Sequence, residues 1–163
     1  MQLLNTQRAY LRPFRQTDYA DLFQLVSNPE VMKHTGFRVP LTETKTQELL
    51  QKWIIEGSQK LGVWAAIQKE DDQFIGWFML KITNTEFPEI GFMLDQSKWN
   101  KGFGTELSRA LLNYGLKNLG FKKIIATVDR DNRASLCVLE KIGMTGAKDK
   151  NTLEMTIQYE III

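Results

Sequence analysis

The chain has little of what marks a secreted, metal-binding or membrane protein. Cys137 is its one cysteine, so no internal disulfide can form and an oxidising compartment gains no support. His34 is its one histidine, and no His/Cys/carboxylate cluster has metal-ligand spacing, so no metal is expected. No apolar run approaches the roughly 20 residues that a membrane span requires. The start, Met1 to Arg8, lacks the basic opening and long apolar core of a secretory signal. The net charge of +2 is too small to argue for nucleic acid or an anionic membrane as partner. Repeats, low-complexity tracts and linker-like segments are also absent. With 163 residues, 43% hydrophobic and 25% charged, the expectation is one soluble domain spanning 1–163, with the cytoplasm as default address.

What is there centres on Asp95-Gln-Ser-Lys-Trp-Asn-Lys-Gly-Phe-Gly-Thr105. Before it, Glu89 to Asp95 reads as a strand. After it, Phe103, Leu107, Ala110, Leu111 and Tyr114 recur at helical spacing. A strand therefore runs into a glycine-bearing turn that opens a helix. The first turn of a helix presents free N–H groups and the positive end of the dipole. Gly102 and Gly104 remove side chains that would keep an anion away. The stretch is a candidate phosphate cradle.

Two familiar cradles fail on the residues. A P-loop needs Gly-Lys-Ser/Thr at the end of its turn, and no lysine precedes Thr105. A dinucleotide fingerprint needs a third glycine where Leu107 stands. The spacing Trp99-x-x-Gly102-x-Gly104 instead resembles the pyrophosphate loop of the GNAT superfamily, the acyl-CoA-dependent N-acetyltransferases. The tryptophan at its first position resembles the branch that acetylates ribosomal-protein N-termini. A second motif follows in order. Lys123 to Val128 reads as a buried strand, and Asn132, Ser135, Gly143 and Met144 occupy the places of the family's other signature. The resemblance runs from Arg8 to the last strand.

Taken in order, Arg8 to Phe14 alternates and suggests an opening edge strand. Thr17 and Asp18 can cap a helix carrying Tyr19, Leu22, Phe23 and Val26, which stops before Pro29. A second helix starts between Thr42 and Thr46, with Leu49, Leu50, Trp53 and Ile54 as its buried stripe. Gly62–Gln68 and Phe74–Ile82 form a hairpin around Glu70 to Gln73. A crossover from Gln96 to Val128 makes the Glu89 and Lys123 strands parallel. Thr152 to Ile163 closes the chain as a strand with one wet face. The fold class is α/β, a mixed and mostly antiparallel sheet with helices on both faces. As the resemblance implies, the parallel strands splay apart and admit a pantetheine arm. Gly91 fits either a bulge or a glycine facing a bulky neighbour.

The resemblance also implies the chemistry. A neutral amine attacks the thioester of acetyl-CoA, the oxyanion is stabilised, and the leaving thiolate takes a proton. The binding set is Phe92, Met93 and Leu94 on the strand; Trp99, Asn100, Lys101, Gly102, Phe103, Gly104 and Thr105 on the loop; and Asn132 and Ser135 beyond. Ser135 is the expected proton donor, because Leu139 stands where other branches carry a tyrosine. Glu89 is the expected base. An α-amine, with a pKa of roughly 7.7–8.0, needs less help than a lysine amine near roughly 10.4. His34 lies in the loop between the first helices, where the resemblance implies the acceptor site forms, and otherwise reads as a solvated loop residue; Cys137 reads as a packed, inert thiol. The acceptor, whether a peptide N-terminus, polyamine, amino acid or amino sugar, has no diagnostic signature. Neither does the choice between monomer and homodimer. The competing classes are a non-catalytic acyl-CoA-binding module and an ATP-binding protein using the same loop.

Overall fold

A computed structural model describes residues 4–57, 59–83, 85–146 and 155–163. Its eight strands form one sheet in the order β1-β2-β3-β4-β5-β6-β8-β7. These are β1 (Leu4–Asn5), β2 (Ala9–Pro13), β3 (Gly62–Gln68), β4 (Phe74–Ile82), β5 (Pro88–Leu94), β6 (Lys123–Asp129), β7 (Thr145–Gly146) and β8 (Thr156–Ile162). The helices are α1 (Tyr19–Val26), α2 (Pro29–Met32), α3 (Glu43–Glu56), α4 (Phe103–Asn113) and α5 (Arg133–Lys141). Every neighbouring pair is antiparallel except β5 and β6, which are parallel. This is the mixed sheet that the hydrophobic pattern implies.

Strand parity sorts the apolar residues into two cores, one on each face. Trp64, Ala66, Phe78, Leu80, Ile90, Leu94, Ile124, Ala126 and Val128 pack under α4 and α5. Val63, Ala65, Ile67 and Met93 pack under α1, α2 and α3. All of β3 is buried, because both of its faces carry helices.

The departures have local causes. The opening strand is not at the edge, because β1 folds back on β2 and takes that place. Asp18 does not cap α1; its carboxylate grips both terminal nitrogens of Arg12 at 2.7 Å and accepts the Arg15 N–H at 2.8 Å. Caps elsewhere fall on Asn28, Thr42 and Asn132, whose side chains accept from Glu30, Lys45 and Ser135. Gly91 faces a bulky neighbour: a Cβ there would lie 2.7 Å from Cε of Met79, its cross-strand partner. In the final strand Tyr159 is buried while Thr156 and Gln158 are exposed, as alternation requires. The expected start at Thr152, with Leu153 and Glu154, lies outside the described residues.

The feature that positions the site is a short ladder. β5 pairs with β4 along its whole length, and β6 likewise with β8. Between β5 and β6 the recorded register is one pair, Glu89 opposite Ile125. No second ladder pair joins the two strands among the described residues, leaving a wedge in the middle of the sheet.

The Arg12–Asp18 pair is buried, with Asp18 only 4% exposed. Asp18→Ala strands the guanidinium and is expected to cost about 3–5 kcal/mol. The corresponding fall in Tm is about 10 °C, read by thermal denaturation. A change under about 2 °C would show that the pair carries little of the fold.

Candidate active site

The wedge is lined by groups that strand geometry forces to face it. The Asp95 N–H donates to the Ile75 carbonyl of β4 at 2.9 Å. Backbone N–H groups alternate along a strand, so those of Phe92 and Leu94 point the other way, toward β6. The Leu94 carbonyl lies on that same side and accepts the Trp99 indole N–H at 2.9 Å. Trp99 thus folds back over the open end of β5. Met93 differs from its neighbours. It pairs directly with Trp77, and its side chain sits in the core beneath α1–α3.

The turn after β5 is built to deliver a bare helix end. Asp95 accepts the Ser97 N–H at 2.9 Å and opens a 3₁₀ turn over Gln96–Lys98. Asn100 and Gly102 then adopt left-handed backbone, with φ of 57° and 83°. At Gly102 this conformation is why glycine stands there. Gly102 occupies the N-cap of α4, and no side chain caps that helix. The N–H groups of Phe103, Gly104 and Thr105 therefore face outward with no intrahelical acceptor.

A Cβ at Gly104 would meet Val138 at 3.4 Å, Leu94 at 3.6 Å and Phe92 at 3.7 Å, ordinary contact distances. The start of α4 therefore lies in contact range of α5 and β5. Through this contact the structure gathers Phe92, Leu94, Trp99, Gly104 and the helix carrying Ser135 into one neighbourhood. Asn100, Lys101 and Gly102 are exposed beside it, and Phe103 is buried with its ring under Arg8 at 4.5 Å. Asn132 caps α5 through Oδ1, accepting the Ser135 N–H at 3.1 Å. Its side-chain NH₂ and the Ser135 hydroxyl have no partner among the described residues. Cys137, expected to be packed, is exposed, because its place on α5 turns away from the sheet. Glu89 sits at the paired end of the wedge and accepts the Thr83 hydroxyl at 2.6 Å.

Three groups escaped the sequence reading. Arg8 and Glu106 lie far apart in the chain yet form one clamp. Arg8 donates to Glu106 through Nε at 2.7 Å and its backbone N–H at 2.9 Å, and through Nη1 to the Lys101 carbonyl at 2.8 Å. Burial pushes the Glu106 carboxyl up, but hydrogen bonds from the Thr6 hydroxyl and from Arg8 outweigh it and hold the group below its ordinary value. Arg109 lies one turn beyond Thr105, beside Lys141, in a groove of about 590 Å³ that begins at Gly102. On the opposite face, Asp129 is buried at the end of β6. The Asp131 N–H holds its carboxyl below the usual range; burial opposes this, while Arg38 and His34 reinforce it. Only the acidic residue in the first turn of α4 was a readable hint of any of these.

Residues 8–145 match the acetyltransferase (GNAT) domain family. The chain belongs to the GNAT acetyltransferases. YkkB of Bacillus subtilis is 35% identical over 152 residues, covering 89% of this chain and 86% of its own. The N-acetyltransferase YnaD of Bacillus subtilis is 30% identical over 142 residues, covering 86% and 81%. A GNAT-family acetyltransferase from Bacillus anthracis superposes with a TM-score of 0.82 at 26% identity, covering 99% and 98%. The ribosomal L7/L12 α-N-protein acetyltransferase RimL, crystallised with coenzyme A, shares the fold with a TM-score of 0.82 at 17% identity, covering 100% and 98%. As a GNAT enzyme the protein is an N-acetyltransferase, of a family that takes its acetyl group from acetyl-CoA. Among the described residues no group of three or more His, Cys, Asp or Glu is placed to hold a metal, and no helix is long and apolar enough to cross a membrane.

Both depressed carboxyls stabilise the fold at neutral pH. Their folded pKa values lie below the unfolded ones, near roughly 4, so the contribution is complete above that range and is lost as pH falls through the folded values. Glu106→Gln is therefore expected to lower stability at pH 7, the deficit shrinking on acidification to pH 3. Denaturant unfolding at both pH values checks this; a deficit independent of pH would contradict the assignment.

Proposed function

We propose that the bare first turn of α4 grips the diphosphate of acetyl-CoA and that the pantetheine arm enters the wedge between β5 and β6. The carrying observation is the coincidence of three features: an uncapped helix end, a glycine in left-handed conformation at its cap, and a strand pair that separates beside it. The N–H groups from Asn100 to Thr105, with the Thr105 hydroxyl, supply donors to the phosphates; the Trp99 N–H is already given to the Gln96 carbonyl at 3.2 Å. The helix dipole adds on the order of 1 kcal/mol. Arg109 and Lys101 lend positive charge nearby. The Asn132 NH₂ meets a pantetheine carbonyl while its Oδ1 goes on capping α5, so the two roles use different atoms.

The wedge-facing N–H of Phe92 or Leu94 polarises the thioester carbonyl. A primary amine, either a peptide N-terminal α-amine or a small-molecule amine, attacks directly in a ternary complex. The Ser135 hydroxyl gives the departing thiolate its proton, and Glu89 stands at the closed end of the cleft as a candidate base.

The test is thiol release from acetyl-CoA with a panel of peptides, polyamines, amino acids and amino sugars. Turnover with at least one amine is expected. CoA binding without turnover across the panel would favour a binding module, and thermal stabilisation by ATP but not CoA would favour a nucleotide site. Ser135→Ala is expected to lower kcat roughly 10²-fold with CoA affinity unchanged. Gly104→Val drives two methyls between α4, α5 and β5, and is expected to weaken CoA binding at least tenfold. Unaltered affinity would remove the loop from the assignment.

A further inference from the structure

On the face of the sheet covered by α1–α3, the wedge has an open floor. Glu89 and Met93 of β5 and Ile125, Thr127 and Asp129 of β6 share that face by strand parity. Ile125 and Asp129 are buried, yet Thr127 between them is exposed. A buried strand with one exposed residue marks a hole above it. The segment joining α2 to α3 comes down beside this hole. There His34 places Nδ1 at 3.7 Å from Oδ2 of Asp129, and Arg38 donates to the same oxygen at 2.9 Å.

The register fixes the level of this cluster. Glu89 is opposite Ile125, so four residues further Met93 comes level with Asp129. The wedge-facing N–H groups of Phe92 and Leu94 bracket Met93. Glu89 is three residues from Phe92, roughly 10 Å along the strand. Along the strand direction the His34–Asp129 cluster is therefore level with Phe92 and Leu94 at the open end of the wedge, and the Glu89 carboxylate, held by the Thr83 hydroxyl, is at the paired end. With Nδ1 turned to Asp129, Nε2 lies on the far side of the ring. It has no partner among the described residues.

We infer that His34 is the group that takes the proton from the acceptor amine, with Asp129 as its positioning residue. Nε2 removes a proton from the ammonium and releases it to solvent. The freed lone pair forms the C–N bond to the thioester carbon, the C–S bond breaks, and the proton shed by the new amide nitrogen balances the one gained by the thiolate. The buried Asp129 carboxylate, 3.7 Å from Nδ1, is at ion-pair rather than hydrogen-bond distance and stabilises the imidazolium by charge. Among the described residues, Asp129 is the charged group recorded against His34, and Arg38 and the Asp131 N–H share that carboxylate. The inference rests on the acetyl-transfer reading above.

The experiment compares the full-length wild type with His34→Gln, Arg38→Ala and Glu89→Gln, on whichever amine of the panel the wild type turns over. His34→Gln is expected to lower kcat about 100-fold at neutral pH, to leave CoA affinity within twofold by calorimetry, and to tie kcat/KM to the free-amine fraction of the acceptor, so that the deficit shrinks as pH rises toward the amine's own pKa. Added imidazole is expected to restore part of the turnover of His34→Ala. Arg38→Ala frees the same loop but keeps the imidazole; it is expected to raise the acceptor KM with no such pH-dependent deficit. Equal losses of kcat in the Arg38 and His34 variants would assign the effect to loop position and overturn the inference. So would a deficit that is independent of pH in His34→Gln and shrinks with rising pH in Glu89→Gln. Absence of turnover by the wild type on every amine strikes the acetyl-transfer reading instead.

Discussion

Everything in this fold turns on two neighbouring strands that touch at one point. β5 and β6 are each fully paired on their outer sides, to β4 and β8, so the sheet stays whole at its flanks. Between them the ladder ends where it begins, at Glu89 and Ile125. Unpaired N–H and C=O groups in a sheet interior are costly, and a fold keeps them only where something else meets them. At one end the Trp99 indole satisfies the Leu94 carbonyl. The Phe92 amide lies beyond the single ladder pair. The gap is thus a defect of the sheet that the proposed chemistry uses.

The surroundings hold that gap open. α4 and α5 close one face and approach each other through Gly104, which has no room to spare for branched side chains. α1–α3 cover the other face but leave Thr127 exposed. On the proposed reading the coenzyme and the amine have separate doors, one on each side of the sheet. The Arg8–Glu106 clamp ties the first hairpin to the start of α4 and fixes the loop that presents the bare amides. A buried Arg12–Asp18 pair does comparable work for the α1 side.

Much of this was legible in the chain. The hairpin of β3 and β4 about its polar turn, the turn at Gly102 and the helical stripe from Phe103 to Leu111 are local patterns, and local patterns survive folding. The order of the two motifs pointed to the family to which the chain belongs. Long-range partners were not legible. Arg8 and Glu106 find each other only through the sheet, and nothing near Asp129 in sequence announces Arg38 or His34. His34, read as a solvated loop residue, is half-buried against a carboxylate. Cys137, read as packed, is exposed, because the stripe of α5 turns on Leu139 rather than on the cysteine. Asp18 looked like a cap because aspartate favours helix starts; a buried arginine claimed it instead.

The central claim is that main-chain amides at the start of α4 hold the coenzyme by its diphosphate. Calorimetric titration with CoA and with pantetheine, which lacks that group, tests it most directly, followed by amide chemical shifts on adding CoA. The account expects CoA to bind at least 100-fold more tightly than pantetheine, with the largest shifts at Gly102 to Thr105. Equal affinities for the two ligands, or shifts that leave those four amides unmoved, would contradict it.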